Sequence, residues 1–278
     1  MDELIINLNN LYDEFISSLQ INKLSGELGK ILNNRYKDQI LRFSGYPYVG
    51  INYENAKKKI LFIGLDIGID ENREDDNYHS FYSRRSVVAG DEKGCTSLGY
   101  NHHISGTYGM ALYILRNTYN WQHHWELFIE DSNSIFQSRI NLLKSSLPVD
   151  VLDYVALTNI HKFVTKCRGC DFSKTLPKCY SENCKLNDIN RSGNSNRKWY
   201  NKIIELEMIV EEIDKFNPDI IYFQGSISPI WNYFKSLNSK YEIWIADHPS
   251  AWNVGANKLS YIKSDRLKIF PRKANAIV

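Results

Sequence analysis

A chain of 278 residues, 43% of them apolar, can bury one large core, which excludes a disordered or fibrous protein and predicts one domain with extensions or inserts. A net charge of +2 excludes a polyanion-binding mode driven by overall charge. No apolar run approaches the roughly 20 residues of a bilayer span, and Met1-Asp-Glu-Leu-Ile lacks the basic flank and cleavage pattern of a secretion signal, so a cytoplasmic protein is expected.

In chain order, Leu4, Leu8, Leu11, Phe15 and Leu19 recur at helical spacing and predict an amphipathic helix to about residue 20, packed on something larger. A second helix is predicted over 25–43, stopped by Gly45-Tyr-Pro-Tyr. Four short runs, 60–65, 154–157, 220–223 and 243–246, are almost continuously apolar, as strands covered on both faces should be. Helical stretches at 110–118 and 128–143 separate the first two runs; others at 199–216 and 229–237 precede the third and fourth. This alternation predicts a three-layer α/β/α domain with a central four-stranded parallel sheet and right-handed crossovers. The expected organisation is an N-terminal helical extension, 1–50, packed on an α/β domain, 51–278. Within that domain, the polar, Tyr-, His-, Ser- and Gly-rich stretch 71–107 reads as a lid or pocket loop, and 163–198 as a cysteine-bearing insert.

Ligands of parallel α/β sheets bind beyond the carboxyl ends of the strands. Those ends read Asp66, then Thr158-Asn159, then Gln224-Gly225-Ser226, then Asp247-His248. A carboxylate can stabilise a developing cation and orient or deprotonate water. An imidazole can donate a hydrogen bond to a departing anion, and an amide offers donor and acceptor together. Taken singly, Asp66 also reads as a cap, His248 as a loop histidine and Asn159 as a backbone partner. Their arrival at one sheet edge is what argues for a site.

Four of the five cysteines, Cys167, Cys170, Cys179 and Cys184, are separated by two, eight and four residues. Thiolates this dense in a cytoplasmic chain read as metal ligands rather than disulfides. Structural zinc in a four-sulfur tetrahedron is the simplest occupant, and a [4Fe-4S] cluster is the alternative that the spacing leaves open. Lys166, Arg168, Lys174, Lys178 and Lys185 surround the knot. They suit a phosphate clamp, and they equally suit a solvated structural finger.

Three segments at strand ends, Gly64-Leu-Asp66-Ile-Gly68, Leu157-Thr-Asn159-Ile-His-Lys162 and His248-Pro-Ser250-Ala-Trp252, resemble in order the motifs of the uracil-DNA glycosylase superfamily. The resemblance spans about 58–252 and leaves out the N-terminal helices. It implies a monofunctional DNA glycosylase that hydrolyses the N-glycosidic bond of a flipped-out uracil or modified base and leaves an abasic site. On that resemblance Asp66 and His248 are catalytic, Asp66 on the sugar side and His248 on the base side. Gly64 and Asn159 bind the base. Tyr82, Tyr100 and Tyr108 are candidates for the aromatic that stacks on it, with Tyr108, ahead of the 110–118 helix, the favourite. Trp252 takes the place of the intercalating wedge, and Ser226, Ser250, Lys166 and Arg168 join it in contacting DNA.

DNA is accordingly the expected partner, of a monomer with no membrane association. Ile67 stands where the family usually has proline, and the iron–sulfur branch spreads its cysteines over two regions, whereas here all four follow the second strand. The resemblance therefore implies a remodelled pocket and names neither the base nor the metal. Two other classes fit the same residues: a non-catalytic nucleic-acid-binding module and a hydrolase of small nucleoside-like substrates.

Overall fold

The computed structural model describes residues 2–18, 39–43, 46–64, 102–130, 150–160, 163–167, 202–225, 234, 237, 239–246 and 268–270. In chain order the elements are α1 (Asp2–Ser18), β1 (Gln39–Phe43), β2 (Tyr48–Val49), β3 (Ile60–Gly64), α2 (His102–Leu115) and α3 (Gln122–Glu130). A 3-10 turn (Val151–Tyr154) then leads into β4 (Val155–Asn159), followed by β5 (Phe163–Cys167), α4 (Lys202–Phe216), β6 (Ile220–Gln224), β7 (Glu242–Ala246) and β8 (Lys268–Phe270).

The main sheet runs β2-β4-β3-β6-β7-β8. Strands β4, β3, β6 and β7 pair in parallel, while β2 lies antiparallel on β4 and β8 antiparallel on β7. The fold is thus α/β, but its sheet is mixed and six-stranded rather than a four-stranded parallel one. The extra strands have two and three residues, too short to leave a periodic signal, and such short pieces suit sheet edges.

Side-chain alternation divides the core between the two faces of this sheet. Leu61, Ile63, Ala156, Ile221, Phe223 and Ile243 meet Leu4, Leu8, Leu11, Tyr12 and Phe15 of α1 and Leu206, Ile209, Ile213 and Phe216 of α4. On the other face Ile60, Phe62, Val155, Leu157, Ile220, Tyr222 and Trp244 meet Ala111, Leu112 and Leu115 of α2 and Trp125 and Phe128 of α3. Every residue of β3, β4 and β6 is buried, which is why those strands carry no polar alternation. Helix α4 ends where Asn217 turns into the left-handed region at φ 43°, its N–H donating to the Ile213 carbonyl, with Pro218 next in the chain.

Several boundaries differ from the sequence expectation. The last five residues of the helix predicted over 25–43 form strand β1, paired antiparallel with β5 in a separate two-stranded sheet; residues 25–38 lie outside the described part. The partner Phe163-Val-Thr-Lys-Cys is rich in β-formers, and ladder pairing across 120 or so residues overrides a local helical pattern. The cysteine-bearing insert therefore opens with a strand. Residues 102–107, read as the end of a lid loop, are the first turns of α2, and α3 starts at Gln122 rather than 128. The 1–50 extension is not wholly helical, since β2 within it is an edge of the main sheet. No helix among the described residues is long and apolar enough to cross a membrane.

Candidate functional site

The parallel registers fix one row of residues at the carboxyl edge of the sheet. Gly64 pairs with Asn159 on one side and with Gln224 on the other, and Gln224 pairs with Ala246. Adjacent strands lie about 4.8 Å apart, so Asn159 and Gln224 flank the side-chain-less Gly64 at a separation of about 10 Å. Alternation places this row on the face of Phe62, Leu157, Tyr222 and Trp244, the face that α2 covers. The Gln224 Nε2 donates to Thr107 Oγ1 of α2 at 2.7 Å. All three polar side chains are buried, with 7% of Asn159, 2% of Gln224 and none of Thr107 exposed.

Backbone bonds carry the ladder past the row. The Ile160 N–H donates to the Gly64 carbonyl and the Gly225 N–H to the Ala246 carbonyl. Gly225 has φ 125°, a conformation that a side chain would strain, so glycine is required where the chain leaves β6.

On the opposite face, Thr158, the neighbour of Asn159, donates its hydroxyl to Glu212 Oε1 of α4 at 2.9 Å. The Tyr12 hydroxyl of α1 donates to the same oxygen. Glu212 and Tyr12 are fully buried. Burial, and then the Glu212 carboxyl beside it, push the Tyr12 phenol well above its ordinary range, so it stays a donor at any neutral pH. A polar group buried this deeply is costly unless it is hydrogen-bonded. The two hydroxyl bonds to Oε1 offset part of that cost and tie α1, α4 and the end of β4 together.

Of the residues expected at a site, the fold brings Gly64 and Asn159 into register on adjacent strands. Tyr108, expected to stack on a ligand, follows Thr107 in α2; it is 2% exposed and its ring packs on Phe128 at 5.9 Å. A tyrosine in the second turn of a helix laid on a sheet packs inward with the rest of the apolar stripe. Lys166 and Cys167 are placed by their backbone in β5, paired with Ile40 and Gln39, in the small sheet rather than in the site row. Asp66, Tyr82, Tyr100, Arg168, Cys170, Cys179, Cys184, Ser226, His248, Ser250 and Trp252 lie outside the described residues. Among the described residues, no group of three or more histidine, cysteine or acidic side chains could hold a metal ion.

Of Gln224, Thr107, Tyr12 and Glu212, the sequence placed only Gln224 at a strand end, without a role, and did not mark the others. Two of them left a signal. Gln224 closes the run Ile-Ile-Tyr-Phe at the very end of a buried strand. Glu212 interrupts the apolar stripe Met208, Ile209, Ile213, Phe216 of α4. No protein-family model matches the chain, and neither a curated protein nor a solved structure is found similar to it.

Proposed function

We propose that the carboxyl edge of this sheet is the active site of a monofunctional DNA glycosylase of the kind that the three motifs resemble. The observation that supports the reading most is the register of Gly64 with Asn159, which joins the first and second motifs as adjacent strand ends. Asp66 follows Gly64 by two residues, and His248 follows Ala246 by two. Covalent geometry limits two residues to about 7 Å of travel from a strand end.

The reaction needs few parts. The bond from the sugar C1′ to the base nitrogen breaks, and positive charge develops on deoxyribose while negative charge develops on the base. Asp66 stabilises the cationic sugar and takes a proton from the attacking water, whose oxygen bonds to C1′. His248 donates a hydrogen bond to the departing base. Asn159 reads the base edge with its paired donor and acceptor. The target leaves the stack to reach such a site, and Trp252 fills the gap it leaves. Ser226, Ser250, Lys166 and Arg168 hold the DNA backbone. Cys167, Cys170, Cys179 and Cys184 would hold a structural zinc, with [4Fe-4S] as the other occupant suited to four thiolates; either would brace the insert and take no part in the chemistry.

Incubation with oligonucleotides carrying uracil, hypoxanthine or modified pyrimidines tests this reading, with free base as the readout. Release from at least one substrate is expected. Salt-sensitive DNA binding without release would indicate the non-catalytic binding module, and release from free nucleosides but not from DNA the small-substrate hydrolase.

A further inference from the structure

We infer that Gln224 is a second base-reading residue, facing Asn159 across Gly64, and that it selects bases carrying a polar group on the edge opposite the one Asn159 reads. The inference rests on the glycosylase reading and extends it to a residue outside the three motifs. Chain order and strand order together locate it. From β3 the chain passes to β4 on one side, then crosses back to β6 on the other side and continues outward to β7. Connections therefore diverge at the boundary between β3 and β6, the topological switch point where parallel sheets of this kind open a ligand crevice. The last residues of the two strands bounding that crevice are Gly64 and Gln224.

The chemistry agrees with the position. The preceding four residues of β6 are apolar, and a leucine at 224 would continue them without the desolvation cost of an amide. Gln224 instead carries its amide in the same buried row as Asn159, with only Gly64, which has no side chain, between them in that row. The bond from Nε2 to Thr107 Oγ1 fixes which end of the amide faces α2, so its orientation is set before a ligand arrives. A pre-oriented amide discriminates more sharply than a freely turning one, because a base lacking the matching group leaves a buried polar atom unpaired. Two amide-bearing strand positions about 10 Å apart suit a flat heterocycle addressed on both edges, wider in its polar pattern than unmodified uracil.

Two variants separate reading from fastening. Gln224→Glu keeps the size of the side chain and can still meet Thr107, whose hydroxyl then donates, but it replaces the neutral amide by an acidic group, so the edge that a base meets changes in charge. Thr107→Val removes the tie to α2 and leaves the amide. Release rates are compared for uracil, 5-hydroxymethyluracil and hypoxanthine in the same duplex, beside urea unfolding midpoints. Gln224→Glu is expected to change the ratio between the polar-edged base and uracil by about tenfold or more, beyond the uniform slowing that a lowered midpoint brings, and Thr107→Val, which frees the amide to turn, is expected to narrow the wild-type ratio. If Gln224→Glu leaves the ratios as in the wild type, Gln224 only fastens α2 and the inference is overturned, while base release by the wild type would keep the glycosylase reading intact. If the wild type releases no base, that reading falls. Calorimetric binding of the three free bases then decides on Gln224, the same change in ratio supporting it and unchanged ratios overturning it.

Discussion

Glu212 shows how much a single buried residue can organise. Its carboxyl receives Tyr12 from α1 and Thr158 from β4, so one side chain links two helices to the strand that ends in Asn159. Tyr12→Phe removes a hydrogen bond to a buried acidic group and should cost about 1–3 kcal/mol of stability, read from the urea midpoint. Glu212→Ala, which removes the shared acceptor of two buried hydroxyls as well as opening a cavity, should cost more than Tyr12→Phe. The raised phenols of Tyr12 and Tyr53, both driven first by burial, set a pH dependence. Below the ordinary tyrosine value of 10.0 they are neutral in folded and unfolded chains alike. Above it the unfolded chain releases protons first, so stability falls as pH rises past 10.0. Urea midpoints measured across that boundary should drop, and Tyr12→Phe should flatten the drop. At this scale the sequence was legible where a polar residue broke an apolar pattern, as Gln224 and Glu212 do. It was silent on the start of α2, because nothing in the local residues shows that the helix begins at His102.

Elements followed the same division. The buried strands β3, β4, β6 and β7 were readable because burial on both faces demands continuous apolar runs. Strand β1 was not, since its conformation comes from β5, far along the chain, rather than from its own five residues. The short edge β2 depends on a close approach next to it. A Cβ at Gly50 would lie 2.3 Å from the Asp153 carbonyl oxygen and 2.5 Å from that of Leu152. Backbone atoms tied into the 3-10 turn and β4 cannot step aside as a side chain can. Gly50→Ala should therefore lose about 3 kcal/mol, the upper end for overpacking, and loosen the β2–β4 pairing, visible as faster amide exchange at Gly50. The insert that follows β5 is tested by its metal. About one zinc ion per chain is expected, lost on Cys170→Ser together with the fold of the insert; a brown protein containing iron would instead assign the four thiolates to a cluster.

The whole molecule adds what no segment carries. Strand order brings the ends of β3, β4 and β6 side by side although nearly a hundred residues separate each from the next in one case and about sixty in the other. The alternation of strands and helices announced an α/β domain, but the antiparallel edges and the central place of β3 arise from long-range pairing and left no local trace. That same order sets Gly64 between two buried amides and makes the β3–β6 boundary the topological switch point, where ligands of parallel sheets bind. The most direct measurement of chemistry at the carboxyl edge is single-turnover release of free base from a modified oligonucleotide by the wild type and by Asp66→Asn, with DNA affinity measured in parallel. The expected result is release that falls by about 10²–10⁴-fold in the variant at similar affinity for DNA. Release that is unaffected by Asp66→Asn, or absent from every substrate with the wild type, would contradict it.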